Sequence, residues 1–155
     1  MKKLIKLLAK NGLTIASAES ITGGLFASEL VAVDKASSVY LGSFITYANS
    51  IKESVLKISL EDIEKYGVIS AEIVKLMAGG TFELIPADVI VSFSGNAGPS
   101  KLEGKPVGSI YTCIKIYNRY HIYYDQLKGS RNEIRQEIVE ITKDRIIELL
   151  TKKGD

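Results

Sequence analysis

The chain has one cysteine, Cys113, and one histidine, His121, in 155 residues. A single cysteine excludes an internal disulfide, and the pair together exclude a metal cluster of the Cys/His type. A dominant charge is also missing. The 20 basic and 18 acidic residues leave +2, with the two signs well mixed. That balance argues against a nucleic-acid partner held by a basic field. The longest apolar runs fall far short of the ~20 residues of a membrane helix, so no membrane partner is expected. The start, Met1-Lys2-Lys3-Leu4-Ile5-Lys6-Leu7-Leu8, opens basic and apolar like a signal peptide. Lys6 and Lys10 interrupt it, no small-residue cleavage site ends it, and Gly12 stops it as a helix C-cap would. It reads as an amphipathic first helix. No repeat, low-complexity tract or long linker divides the chain. A 46% hydrophobic content suffices for a core of its own, so a single cytoplasmic domain over residues 1–155 is expected.

The organising stretch is Ala18-Glu19-Ser20-Ile21-Thr22-Gly23-Gly24. An apolar run, Leu13–Ala16, precedes it and a helical pattern, Leu25–Val31, follows it. It therefore reads as a turn from a buried strand into a helix, where open α/β sheets place their ligand sites. Ser20 brings a hydroxyl there, Thr22 is placed to cap the helix, and Gly23 and Gly24 admit a ligand close to the backbone. Free N–H groups at such a helix start favour an anion or a developing oxyanion. Alone, the seven residues fit a plain capped turn equally well.

Strands are expected at 13–18, 40–47 and 88–93, with a hairpin from Val107 to Lys128 turning at Asn118. Helices are expected at 1–11, 23–33, after Ala48, from Ser59 to Gly67, from Ser70 to before Pro86, and from Ser130 to the end. Gly79-Gly80 inside the fifth helix either weakens it or marks close packing. This order predicts an α/β fold with the parallel part first and an antiparallel hairpin late. Cys113 lies in a strand pattern and reads as an inert core thiol. His121 reads as a half-exposed strand residue, so neither residue serves Ser20. Lys52 is the remaining candidate base. It stands at a helix start just beyond Tyr47, where the dipole disfavours its charge and burial would lower its pKa. As a single residue it fits a solvated surface lysine as well. Arg131 and Arg135 are four apart at the start of the last helix and could hold a phosphate or form a surface pair. Ser94-Gly95-Asn96-Ala97-Gly98-Pro99 is a second Gly-rich turn at a strand end, neither a Walker loop nor GxGxxG.

Six blocks in order resemble the CinA C-terminal family: Ala18–Gly24; Thr46-Tyr47-Ala48-Asn49 with Lys52; Gly67-Val68-Ile69-Ser70; Ser94–Pro99; Lys105-Pro106-Val107-Gly108; and Gly129-Ser130-Arg131 with Arg135. The likeness is to the family's stand-alone enzymes, which deamidate nicotinamide mononucleotide to nicotinate mononucleotide; other members are fused to an N-terminal molybdopterin-binding-like domain. The resemblance implies a three-layer α/β/α sandwich with a mixed, mostly parallel sheet, a homo-oligomer (dimer or higher), a small-molecule nucleotide substrate, and no metal or cofactor. It puts the catalytic serine on Ser20 and its partners on Tyr47 and Lys52. It puts substrate contacts on Thr22, Gly23, Gly24, Asn49, Ser94, Gly95, Ala97, Gly98, Arg131 and Arg135. Asn96 stands for a usual apolar residue, Ser100–Gly104 lacks a Gly-Gly-Thr run, and Ser130 replaces a common Asp. The alternative function is a non-catalytic nucleotide-binding or oligomerisation module related to competence and DNA-damage proteins. Without a Cys or His cluster to hold zinc, deamidase activity is expected to survive exhaustive chelation; activity lost in chelator and restored by a divalent ion would contradict a serine mechanism.

Overall fold

The structure is a computed structural model that describes residues 1–152. The described residues form six α-helices and five strands in the order α1 (Lys2–Lys10), β1 (Ile15–Glu19), α2 (Leu25–Val31), a 3-10 turn (Ala36–Ser38), β2 (Tyr40–Ile45), α3 (Asn49–Leu56), α4 (Leu60–Tyr66), α5 (Ala71–Leu84), β3 (Val89–Gly95), β4 (Ser109–Ile116), β5 (Arg119–Gln126) and α6 (Arg131–Thr151). The strands form one sheet in the order β2-β1-β3-β4-β5. β1 pairs in parallel with both β2 and β3, while β3–β4 and β4–β5 are antiparallel. The late hairpin is thus present, turning at Tyr117–Asn118 between β4 and β5.

Alternation along the strands divides the core into two layers. Ile15, Val89, Val91 and Phe93 face α1, α2 and α6. Ala16, Ala18, Ile90 and Cys113 face α5 and its neighbours. The amphipathic first helix is observed, burying Leu4, Ile5 and Leu8. Cys113 is fully buried, and burial pushes its thiol pKa up to about 12, an inert thiol at neutral pH. After β1 the chain crosses one face through α2 to reach β2, then the other face through α3–α5 to reach β3. The carboxyl end of β1 is therefore a switch point, where a crevice opens between connections leaving to opposite sides.

Two local expectations resolve differently. Thr22 does not cap α2; its Oγ1 is buried and has no partner among the described residues. The N-cap is Gly24, in the left-handed region at φ 95°, and the capping acceptor is Glu19. Of Gly79 and Gly80, Gly80 marks close packing, because a Cβ there would come within 2.3 Å of the Leu56 carbonyl oxygen. At Gly79 the nearest atom would be the Tyr120 hydroxyl at 3.7 Å. Gly80→Ala is therefore expected to destabilise the fold by about 1–3 kcal/mol through overpacking of α3 on α5. Gly79→Ala should be neutral or stabilising by up to ~1 kcal/mol from helix propensity. Denaturant midpoints of the two variants check the contrast.

Candidate functional site

A cavity of about 260 Å³ lies at the carboxyl ends of β1, β2 and β3. Ser20, Tyr47, Asn49, Lys52, Ser94, Gly95, Ala97 and Arg131 line it, joined by Ile21, Val68, Asn96, Leu102 and Glu103. A wider groove of about 470 Å³ lies around Leu56, Gly79, Phe82 and Tyr120, but no serine, threonine or cysteine lines it. The smaller cavity is where a nucleophile meets a base.

Lys52 sits in the first turn of α3 and is fully buried. Its Nζ donates to the carbonyls of Thr46 (2.8 Å) and Tyr47 (3.2 Å) and lies 3.3 Å from Ser20 Oγ. β1 and β2 are neighbours, which brings these two side chains together from 32 residues apart. Burial lowers the Lys52 pKa to about 8, with the Glu103 carboxylate partly offsetting it. A neutral amine has two N–H groups and one lone pair. With the two carbonyls taking the N–H groups, the lone pair is left for the serine hydroxyl.

Tyr47 contributes its backbone carbonyl to Lys52, while its ring is 62% exposed and its hydroxyl accepts from Arg131 Nη2 at 3.0 Å. The hydroxyl thus stands at the rim beside Arg131. Arg131 Nη1 also donates to the Gly98 carbonyl at 2.6 Å, which fastens the start of α6 to the second Gly-rich turn. A capping box between Ser130 and Glu133 opens α6. Ser94 donates to the Val68 carbonyl at 2.6 Å, so its hydroxyl serves as a wall strut.

The helix start at Gly23–Gly24 is not free for an anion. Glu19, fully buried at the end of β1, accepts the N–H groups of Gly24, Phe26 and Ala27 at 2.9–3.2 Å. The N–H groups of Gly23 and Leu25 go to the carbonyls of Ser20 and Thr22. Among the described residues, only the amides of Ile21 and Thr22 in this turn have no protein acceptor. Arg135 is likewise committed. Its Nε and Nη2 donate to the carbonyls of Ile21 (3.1 Å) and Thr22 (2.7 Å), away from the cavity lining. The two arginines share a helix but not a site. Residue-by-residue pattern reading singled out neither Glu19 nor Glu103. Glu103 comes from the loop before β4 and accepts from the amides of Val68 (2.8 Å) and Ile69 (3.1 Å).

The model of one protein family, the CinA C-terminal domain, matches residues 1–150. Among curated proteins, the chain is 43% identical over 135 residues to a Geobacillus sp. protein named as competence-damage inducible, covering 86% of this chain and 32% of that protein. It is 38% identical over 134 residues to a Mycoplasma pneumoniae protein, covering 86% of this chain and 85% of that one. The chain spans about a third of the length of the first of these relatives. Among solved structures, a competence/damage inducible protein from Agrobacterium tumefaciens superposes with a TM-score of 0.90 at 30% identity, covering 95% of this chain and 91% of that one.

Loss of the Arg135 guanidinium leaves the Ile21 carbonyl without a partner among the described residues and the Thr22 carbonyl with the Leu25 N–H alone. Arg135→Ala should therefore destabilise the protein by roughly 1.5–3 kcal/mol, and Arg131→Ala, at an exposed position, by much less. Thermal or denaturant unfolding of both variants checks this.

Proposed function

The chain belongs to the CinA C-terminal domain family, and we propose that it is a metal-independent amidohydrolase that deamidates nicotinamide mononucleotide to nicotinate mononucleotide and ammonia. One observation carries this: a fully buried lysine, held by two backbone carbonyls, sits 3.3 Å from a serine hydroxyl at the switch point of the sheet. A surface lysine or a plain capped turn requires none of that arrangement. A purely nucleotide-binding module has no use for it either.

The reaction begins with Lys52 neutral. Its lone pair takes the Ser20 proton as Oγ attacks the carboxamide carbon. The carbonyl oxygen becomes an oxyanion, for which the amides of Ile21 and Thr22 are the available donors, each worth on the order of 3 kcal/mol. These two take the place of the helix-start amides, because the Gly23 N–H goes to the Ser20 carbonyl and the Gly24 N–H to Glu19. The Lys52 ammonium then protonates the amide nitrogen, the C–N bond breaks and ammonia leaves. Water attacks the Ser20 ester and gives its proton to Lys52. The second tetrahedral intermediate collapses, Ser20 Oγ departs with the Lys52 proton, and the acid product ionises to solvent. Arg131, with Tyr47 beside it, is the group positioned for the substrate phosphate. Asn49 and the Gly95–Ala97 turn form the walls between the two ends.

Incubation with nicotinamide mononucleotide should release ammonia and the acid product. Ser20→Ala should lower kcat by about a thousandfold or more, and Lys52→Arg nearly as much, because arginine stays charged. The rate should rise with pH, since only neutral Lys52 is a base, with an apparent pKa of about 8 rather than the ~10.4 of a free lysine. Arg131→Ala should raise KM by about tenfold or more. No ammonia from the parent, or parental turnover in Ser20→Ala, would leave the binding module as the function.

A further inference from the structure

The cavity has three charged side chains in its lining: Lys52, Arg131 and Glu103. Two are cations, and the third needs a reason to be there. Glu103 is not a loose surface carboxylate. Both of its oxygens are tied to consecutive backbone amides, Val68 and Ile69, at the opposite wall. It lies so close over Gly67 that a Cβ there would come within 2.9 Å of Oε2. Lys105, two residues on, donates to the Ile69 carbonyl and secures the same loop. The carboxylate is thus held at a fixed place on the rim. Its field reaches Lys52, as the upward pull on that amine records.

We propose that Glu103 is a specificity-determining residue, selecting a substrate whose reacting carboxamide hangs from a cationic heteroaromatic ring and rejecting one with a neutral ring. This rests on the amidohydrolase function above, in which the carboxamide lies at Ser20. The ring must then lie beside it, between the apolar walls of Ile21, Val68 and Leu102. A positive ring gains from the fixed carboxylate there, while the phosphate gains from Arg131. The cavity therefore reads the substrate as a dipole and sets its direction. The product has gained a carboxylate on that same ring, next to Lys52, which would hold it. Glu103 opposes that attraction and favours release.

The test measures binding without turnover. In a Ser20→Ala background, calorimetry gives Kd for nicotinamide mononucleotide and for its 1,4-dihydro form, which has the same ribose, phosphate and carboxamide but a neutral ring. The cationic form should bind more tightly by about threefold or more, the range of an exposed charge pair. Adding Glu103→Gln should bring the ratio of the two Kd values close to one, whatever common change in both follows from losing one of its two amide contacts. Adding Glu103→Asp, which keeps the charge, should retain part of it. In the serine-bearing enzyme, Glu103→Gln should also move the acid limb of the pH–rate profile downward, because Lys52 loses a stabilising anion. An equal loss of affinity for both ligands in Glu103→Gln, an unchanged ratio, or no binding of either ligand would overturn the proposal. Retained selectivity without ammonia release from the serine-bearing parent would instead remove the amidohydrolase function and leave the cation selectivity standing.

Discussion

A buried carboxylate at the end of β1 anchors the turn that bears Ser20. Glu19 is the last residue of β1 and has no solvent exposure, yet it has no cationic partner among its hydrogen bonds. Burying such a group costs several kcal/mol unless its charge is answered. Here the answer is three backbone N–H groups at the start of α2, aided by the helix dipole and by the Ser17 hydroxyl. Because the charge has so few ways to be satisfied, the strand end and helix start take one relative position. The five-residue turn between them, Ser20 to Gly24, is held from inside. Arg135 holds the same turn from outside through its carbonyls.

This arrangement separates roles that a glycine-rich turn often merges. The helix start is consumed internally, so the amides of this turn left without a protein acceptor are the two immediately after the serine. The base arrives from a different connection, on α3, and its charge state is set mainly by burial, with the Glu103 carboxylate pulling the other way. Lys52 and Glu19 are thus complementary. A lysine held by backbone carbonyls and a carboxylate held by backbone N–H groups stand on either side of the Ser20 turn, and neither hydrogen-bonds the other.

Much of this was legible in the chain. The five strands, the late hairpin, the amphipathic first helix and the capped last helix follow from hydrophobic period and turn residues, which are local properties. Ser20 and Lys52 were legible because each sits at a junction that such patterns locate. Arg135 was read with Arg131 because helix periodicity puts residues four apart on one face. Periodicity carries no information on what that face meets, and the two guanidinium groups met different partners, the Gly98 turn and the Ser20 turn. Threonine is a good local capping residue, which makes Thr22 the expected cap; a carboxylate reaching in from the strand supplies stronger acceptors.

By itself the sequence determined the element order, the class of fold and the junctions that bear Ser20 and Lys52, since these depend on side chains near one another along the chain. The tertiary structure alone decided which amides remain free, which arginine faces the cavity, that Tyr47 offers Lys52 its carbonyl and not its hydroxyl, and that Glu103 closes the wall. Each of those outcomes is a competition for hydrogen-bond partners between segments 5 to 114 residues apart. Such competition is settled only when the sheet order brings the competitors into one place.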